Sequence, residues 1–170
     1  MSEKILLTHQ QGEVAQALHE TLRAAGFFLL PSHDFDSAAR QLAERLGDSV
    51  QFYKLGLELM MAGGYFELVD WLVERGKKIF VDLKFFDVPA TVGRAVSRLN
   101  GRGVTFATVH GNQSIMEAAA QNKGDTLKVL GVTVLTSVGT ADLRQAGLTP
   151  DLAENVDVLV QRRAGAARAA

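Results

Sequence analysis

The stretch KKIFVDLKFFDVPATVGRAVSRLNG, residues 77–101, decides the fold. Its first nine residues read as an apolar strand, Pro89 and Thr91 lie in a break after it, and an amphipathic run follows that glycine stops. One β/α unit is therefore complete in 25 residues. Within it Asp82, Lys84 and Asp87 are charged where an apolar strand would continue into the core. Strand residues two apart share a face, so Asp82 and Lys84 project together, with Asp87 just beyond the strand end. Burying such charges is costly unless they are paired, so the group points to a site.

The same alternation extends on both sides. Upstream, residues 13–25 carry apolar positions at helical spacing, GFFLL (26–30) reads as a strand, and residues 38–47 as a helix ending at Gly47. Residues 50–56 form a strand containing Lys54, followed by a helix over 63–76. Downstream come a strand at 104–111, a helix at 114–124, a strand at 127–137 and a short helical segment at 141–147. Strands alternating with helices, without hairpin signals, predict an α/β fold with a parallel sheet and right-handed crossovers. Lys54, Asp82, His110 and Thr136 recur about every 26 to 28 residues at the expected strand ends. That spacing suits either a doubly wound sheet or a (β/α)₈ barrel, and periodicity does not separate them. In either fold the carboxyl edge of the strands carries the chemistry.

Composition narrows the function. The chain has 170 residues, 47% of them hydrophobic, with a net charge of −1 and no cysteine. It is long enough for one substantial core, and it lacks the basic footprint of a nucleic-acid binder. Disulfides and thiolate chemistry are excluded, which favours a cytoplasmic location. No signal-peptide pattern opens the chain and no apolar run reaches about 18 residues, so neither export by that route nor a membrane partner is expected. No phosphate-loop or dinucleotide fingerprint is present, and His9, His19, His33 and His110 are scattered, so no metal is expected. His110 is expected to be satisfied by backbone at a strand end. Phe80, Phe85, Phe86 and Trp71 are expected in the core. The Ala/Arg-rich residues 156–170 are expected to be disordered or a frayed helix, and residues 1–25 to form a helical extension.

DLKFFDVPATV (82–92), preceded by YKLG (53–56), resembles the DxKxxD(I/V)PxT signature of orotidine 5'-phosphate decarboxylases. DFDSAARQLAERLGDSVQFYKLGLEL, TFATVHGNQSIMEAA and LKVLGVTVLTSVGTADL extend the likeness to the bacterial form over about residues 34–155. The resemblance implies a (β/α)₈ barrel, of which these residues would be about the first five units, and a C-terminally truncated chain lacking the family's later phosphate-holding segments. It implies decarboxylation of orotidine 5'-phosphate to UMP in de novo pyrimidine biosynthesis, a homodimer and no cofactor. By resemblance, Asp34 contacts the ribose and Lys54 joins the charged network. Asp82 faces the departing carboxylate and Lys84 protonates C6. Asp87 and Thr91 reach across the dimer, with Val88 grouped beside them as substrate-binding, and Thr136 with Ser137 lies near the pyrimidine ring. Alternatives are a related sugar-phosphate decarboxylase or synthase with a magnesium-dependent site, against which Lys54 speaks, and a non-catalytic barrel remnant. The chain alone is expected to be inactive.

Overall fold

The computed structural model describes residues 4–8, 27–31, 35–149 and 156–170. They form two compact units, Met1–Val50 with Glu58–Leu68, and Gln51–Leu57 with Val69–Ala170.

In the first unit, β1 (Lys4–Thr8) pairs in parallel with β2 (Phe27–Pro31), followed by α1 (Phe35–Leu46) and a 3₁₀ turn, Gly47–Ser49. β1 lies inside the expected helical extension, so residues 4–8 correct that expectation. KILLT is a short apolar run with no helical period of its own. The helix expected at 13–25 lies outside the described residues. Pro31 ends β2 opposite Thr8, at a strand terminus where its missing donor is tolerated.

The second unit contains a four-stranded sheet in the order β3 (Phe52–Gly56), β4 (Lys78–Phe85), β5 (Val104–His110), β6 (Lys128–Val132), with all neighbours parallel. Sequential parallel strands need helical crossovers. These are α2 (Leu57–Met61) and α3 (Tyr65–Glu74) between β3 and β4, α4 (Pro89–Ser97) between β4 and β5, and α5 (Gln113–Asn122) between β5 and β6. Among the described residues, α6 (Thr140–Gln145) and α7 (Val156–Ala169) follow. The fold class expected from the sequence is therefore the one observed.

Alternation along the strands divides the sheet. Ile79 and Val81 of β4 and Ala107 and Val109 of β5 are fully buried, together with Val92, Val96 and Leu99 around α4 and Ile115 and Ala119 of α5. At about 25 cal/mol per Å² of apolar area, this layer is the main source of the unit's stability. The opposite face carries Phe52, Phe80 and Phe106, whose ring centroids lie 5.9 to 6.4 Å apart, and Lys128 stands over the Phe106 ring. Further toward the carboxyl ends, that face carries Lys54, Asp82 and Thr108.

α7 stands where disorder or a frayed helix was expected. VLVQRRAGAARAA is rich in strong helix formers, and composition alone hid a docked helix. Leu159 is buried with Leu143 of α6, and Val134, Val138, Leu148 and Val156 pack against the pair. The aromatic expectations also change, since Phe80 and Phe85 are only half-buried. Phe86 is 67% exposed, and Trp71 is half-buried beneath the Arg75 guanidinium, 3.8 Å from the ring centroid.

Candidate active site

Asp82 lies in β4 and is only 8% exposed. Lys54 of β3 donates from Nζ to its Oδ2 at 3.1 Å, and Lys84 donates from Nζ to its Oδ1 at 2.9 Å. Lys54 and Asp82 are 28 residues apart in sequence, and the parallel register brings them together by setting Gly56 against Asp82 and Lys54 against Phe80. The lysine side chains remain 60% and 43% exposed. One carboxylate is thus buried beneath two ammonium groups that face outward.

A third donor was missed in the sequence. Thr108 of β5 is buried, and its hydroxyl lies 3.0 Å from Asp82 Oδ1. In TFATVHG, Phe106, Thr108 and His110 fall on one strand face, beside the face bearing Phe80, Asp82 and Lys84, but a threonine in a strand carries no mark of its own. Burial by itself raises the Asp82 carboxyl. Hydrogen bonds from Lys84, Lys54 and Thr108, together with the Lys84 charge, outweigh it and hold the carboxyl below its ordinary value. Asp82 is therefore anionic at neutral pH.

Lys84 departs from regular strand geometry. Its φ is 47°, and it is the only non-glycine residue with positive φ among those described. Such a conformation is uncommon outside glycine and costs on the order of 1 kcal/mol. It coincides with an irregularity in the β4–β5 ladder. Val81 pairs with Ala107 and Phe85 with Val109, so Asp82, Leu83 and Lys84 stand opposite Thr108 alone. The Lys84 amide donates to Thr108 Oγ1 at 2.9 Å in place of a ladder carbonyl. Bulges of this kind re-aim side chains beside active sites.

The other expected site residues are more dispersed. Asp87 lies beyond β4 and accepts the Val88 amide at 2.6 Å, and among the described residues Lys84 is held by the Asp82 carboxylate. Val88 is exposed immediately before α4, and Thr91 Oγ1, in its first turn, accepts from Arg94. β6 ends at Val132, earlier than expected, and Thr136 and Ser137 are exposed in the following loop. There the chain bends so that Val134 and Val138 reach the Leu143 and Leu159 pair. Asp34 lies outside the described residues. His110 is satisfied by side chains rather than by backbone: Nδ1 lies 3.1 Å from Asn112 Oδ1, and the ring stacks on Phe86 at 4.1 Å.

A parallel α/β sheet with a Lys–Asp–Lys cluster on one face defines a class in which charge is organised without thiols. The model of the orotidine 5'-phosphate decarboxylase / HUMPS family matches residues 29–169. The chain belongs to this family. The match extends through α7, beyond residue 155 where the likeness was expected to stop. Orotidine 5'-phosphate decarboxylase of Methylococcus capsulatus is 64% identical over 120 residues, which are 71% of this chain and 49% of that protein. The Xanthomonas axonopodis enzyme of the same name is 48% identical over 155 residues, 91% of this chain and 60% of that protein. The chain thus spans about half the length of the curated relatives it matches. A crystal structure of an uncharacterized conserved protein from Geobacillus kaustophilus superposes with a TM-score of 0.69 at 26% identity, over 81% of this chain and 65% of that one. Orotidine 5'-phosphate decarboxylase from Lactobacillus acidophilus gives 0.52 at 25% identity, over 86% of this chain and 59% of that one.

Proposed function

We propose that this chain carries the charged half of a site that decarboxylates orotidine 5'-phosphate to UMP, within de novo pyrimidine biosynthesis in the cytoplasm. The observation that carries the proposal is Asp82 held between Lys54 and Lys84. Loss of carbon dioxide from a pyrimidine ring leaves an electron pair on carbon, and a fixed ammonium stabilises that developing charge without reorganising. Lys84 is the group assigned to this task, and it then delivers its proton to C6. The Asp82 carboxylate, kept ionised by its donors, faces the substrate carboxylate, and their repulsion is relieved as carbon dioxide departs. Preorganised electrostatics are the larger effect, with ground-state strain secondary. Lys54 holds Asp82 from the other side. Asp34 is assigned to the ribose, and Thr136 and Ser137 to the pyrimidine.

The family resemblance supports a homodimer in which Asp87, Val88 and Thr91 serve the neighbouring site. The exposure of Asp87 and Val88 fits that assignment. The magnesium-dependent alternative fits the geometry less well, because the space beside Asp82 is taken by two ammonium groups, which repel a divalent cation.

The test uses the 170-residue chain beside a chimera in which the remaining half of the Methylococcus relative continues it, both assayed for carbon dioxide release from orotidine 5'-phosphate. The chimera is expected to turn over. Lys84→Ala in it should lower the rate by at least about 10² to 10⁴, the usual worth of a positioned general acid, with further loss from the missing charge. A folded but inert chimera, or an active Lys84→Ala variant, would overturn the assignment.

A further inference from the structure

We infer that Thr108 is the positioning residue of the charged cluster: its single hydroxyl fixes both the backbone of Lys84 and the Oδ1 face of Asp82. The inference rests on the decarboxylase reading above only for what the cluster is used for.

The geometry leaves the Thr108 proton one arrangement. A hydroxyl donates once and accepts through its lone pairs. The Lys84 amide can only donate, so Thr108 Oγ1 accepts from it at 2.9 Å. An ionised carboxylate can only accept, so the Thr108 proton goes to Asp82 Oδ1 at 3.0 Å. The Lys84 ammonium donates to that same oxygen at 2.9 Å. A closed circuit results, from the Lys84 main chain through Thr108 to Asp82 and back to the Lys84 side chain. Every member is satisfied, which is the condition under which a buried polar network rigidifies its surroundings.

The circuit accounts for the left-handed backbone at Lys84. The β4–β5 ladder is interrupted between the Val81–Ala107 and Phe85–Val109 pairs, and Thr108 is the one β5 residue opposite the irregular segment. Its hydroxyl gives the Lys84 amide an acceptor where the regular ladder does not. An amide left unsatisfied in this partly buried position would favour a return to ordinary strand geometry, carrying the ammonium with it. The strained φ persists because the surroundings over-determine it. Lys54 reaches Asp82 through the other oxygen, so it holds the carboxylate without setting the Lys84 backbone.

The experiment is NMR on the 170-residue chain, comparing the unmodified protein with Thr108→Val, which keeps the shape and loses the hydroxyl, and with Thr108→Ser, which keeps the hydroxyl. Two signals are read: hydrogen exchange of the Lys84 amide, and the pH titration of the Asp82 carboxyl carbon, identified by its loss in Asp82→Asn. In Thr108→Val the Lys84 amide should exchange on the order of tenfold faster, the loss of one hydrogen bond. The Asp82 midpoint should move upward, while the Val81 and Ala107 amides keep their protection. Thr108→Ser should restore both signals. Unchanged exchange and titration in a folded Thr108→Val protein would overturn the inference. If Thr108→Val does not fold, Thr108→Ser decides, because a change in either signal with core amides intact overturns it too. Absence of carbon dioxide release from the chimera would count against the decarboxylase reading alone and would leave both signals as they are.

Discussion

Asp82 makes the ionic character of the cluster measurable. Its folded carboxyl lies below its ordinary value, because three hydrogen bonds and the Lys84 charge outweigh burial. A group whose pKa is depressed on folding contributes stability above its unfolded value, about 3.9, and that contribution is lost as the pH falls through the folded value. Asp82→Asn should therefore be less stable than the unmodified protein at pH 7, by about 1 kcal/mol because solvent screens the half-exposed lysines. The gap should close as the pH drops below about 3.9. Urea midpoints at pH 7, 4 and 3 measure it, and a gap independent of pH would mean that the network is not held by charge. At this scale Lys54, Asp82 and Lys84 were legible because charge within an apolar strand stands out and strand periodicity aligns it. Thr108 was not, since a threonine in a strand is ordinary. Nor was the Lys84 backbone, because positive φ at a non-glycine residue leaves no mark in the sequence.

Elements were legible where a strong period ran between clear stops. β3 to β5 and the longer helices follow from alternating patterns and glycine breaks, whereas β6 stops at Val132, short of the expected residue 137, and α2 was not expected. α7 was read only in part and β1 was misread, for opposite reasons. The Ala/Arg composition of α7 hid one apolar contact, at Leu159, while β1 is a five-residue run too short for periodicity to decide. Close packing at the carboxyl end of the sheet gives a prediction at the same scale. Gly111 follows β5, and a Cβ there would collide with the Val132 carbonyl at the end of β6. Backbone cannot move aside as a side-chain tip can. Gly111→Ala should therefore destabilise the second unit by about 1–3 kcal/mol, the usual cost of overpacking. Thermal denaturation is the check, and a variant as stable as the unmodified chain would show that the two strand ends separate freely.

At the scale of the whole molecule, two predictions concern association. If Asp87 serves a neighbouring site, mixing Asp87→Ala and Lys84→Ala versions of the chimera should restore activity that neither has alone, because one site of each heterodimer keeps both residues. Heterodimers confirmed by mass without recovered turnover would place the whole site in one chain. The second prediction concerns a polypeptide of these 170 residues expressed as it stands. β3 and β6 are the outer strands of the four-stranded sheet in the second unit, and an outer strand is a template for further pairing. The sheet face that bears the site is also open, with Phe52 45% and Leu130 41% exposed. A face of that kind buries its apolar surface by meeting another chain. Such a polypeptide should self-associate, and should bind UMP and release carbon dioxide far more weakly than the chimera. Remote phosphate contacts supply binding energy that helps to orient the reacting end, and a site offering only the charged cluster forgoes it. Sedimentation velocity across a concentration series, with UMP titrated by calorimetry, measures both effects. A concentration-independent monomer with micromolar UMP affinity and turnover equal to the chimera would refute the prediction, and would mean that the described units close their own edges and hold the phosphate themselves.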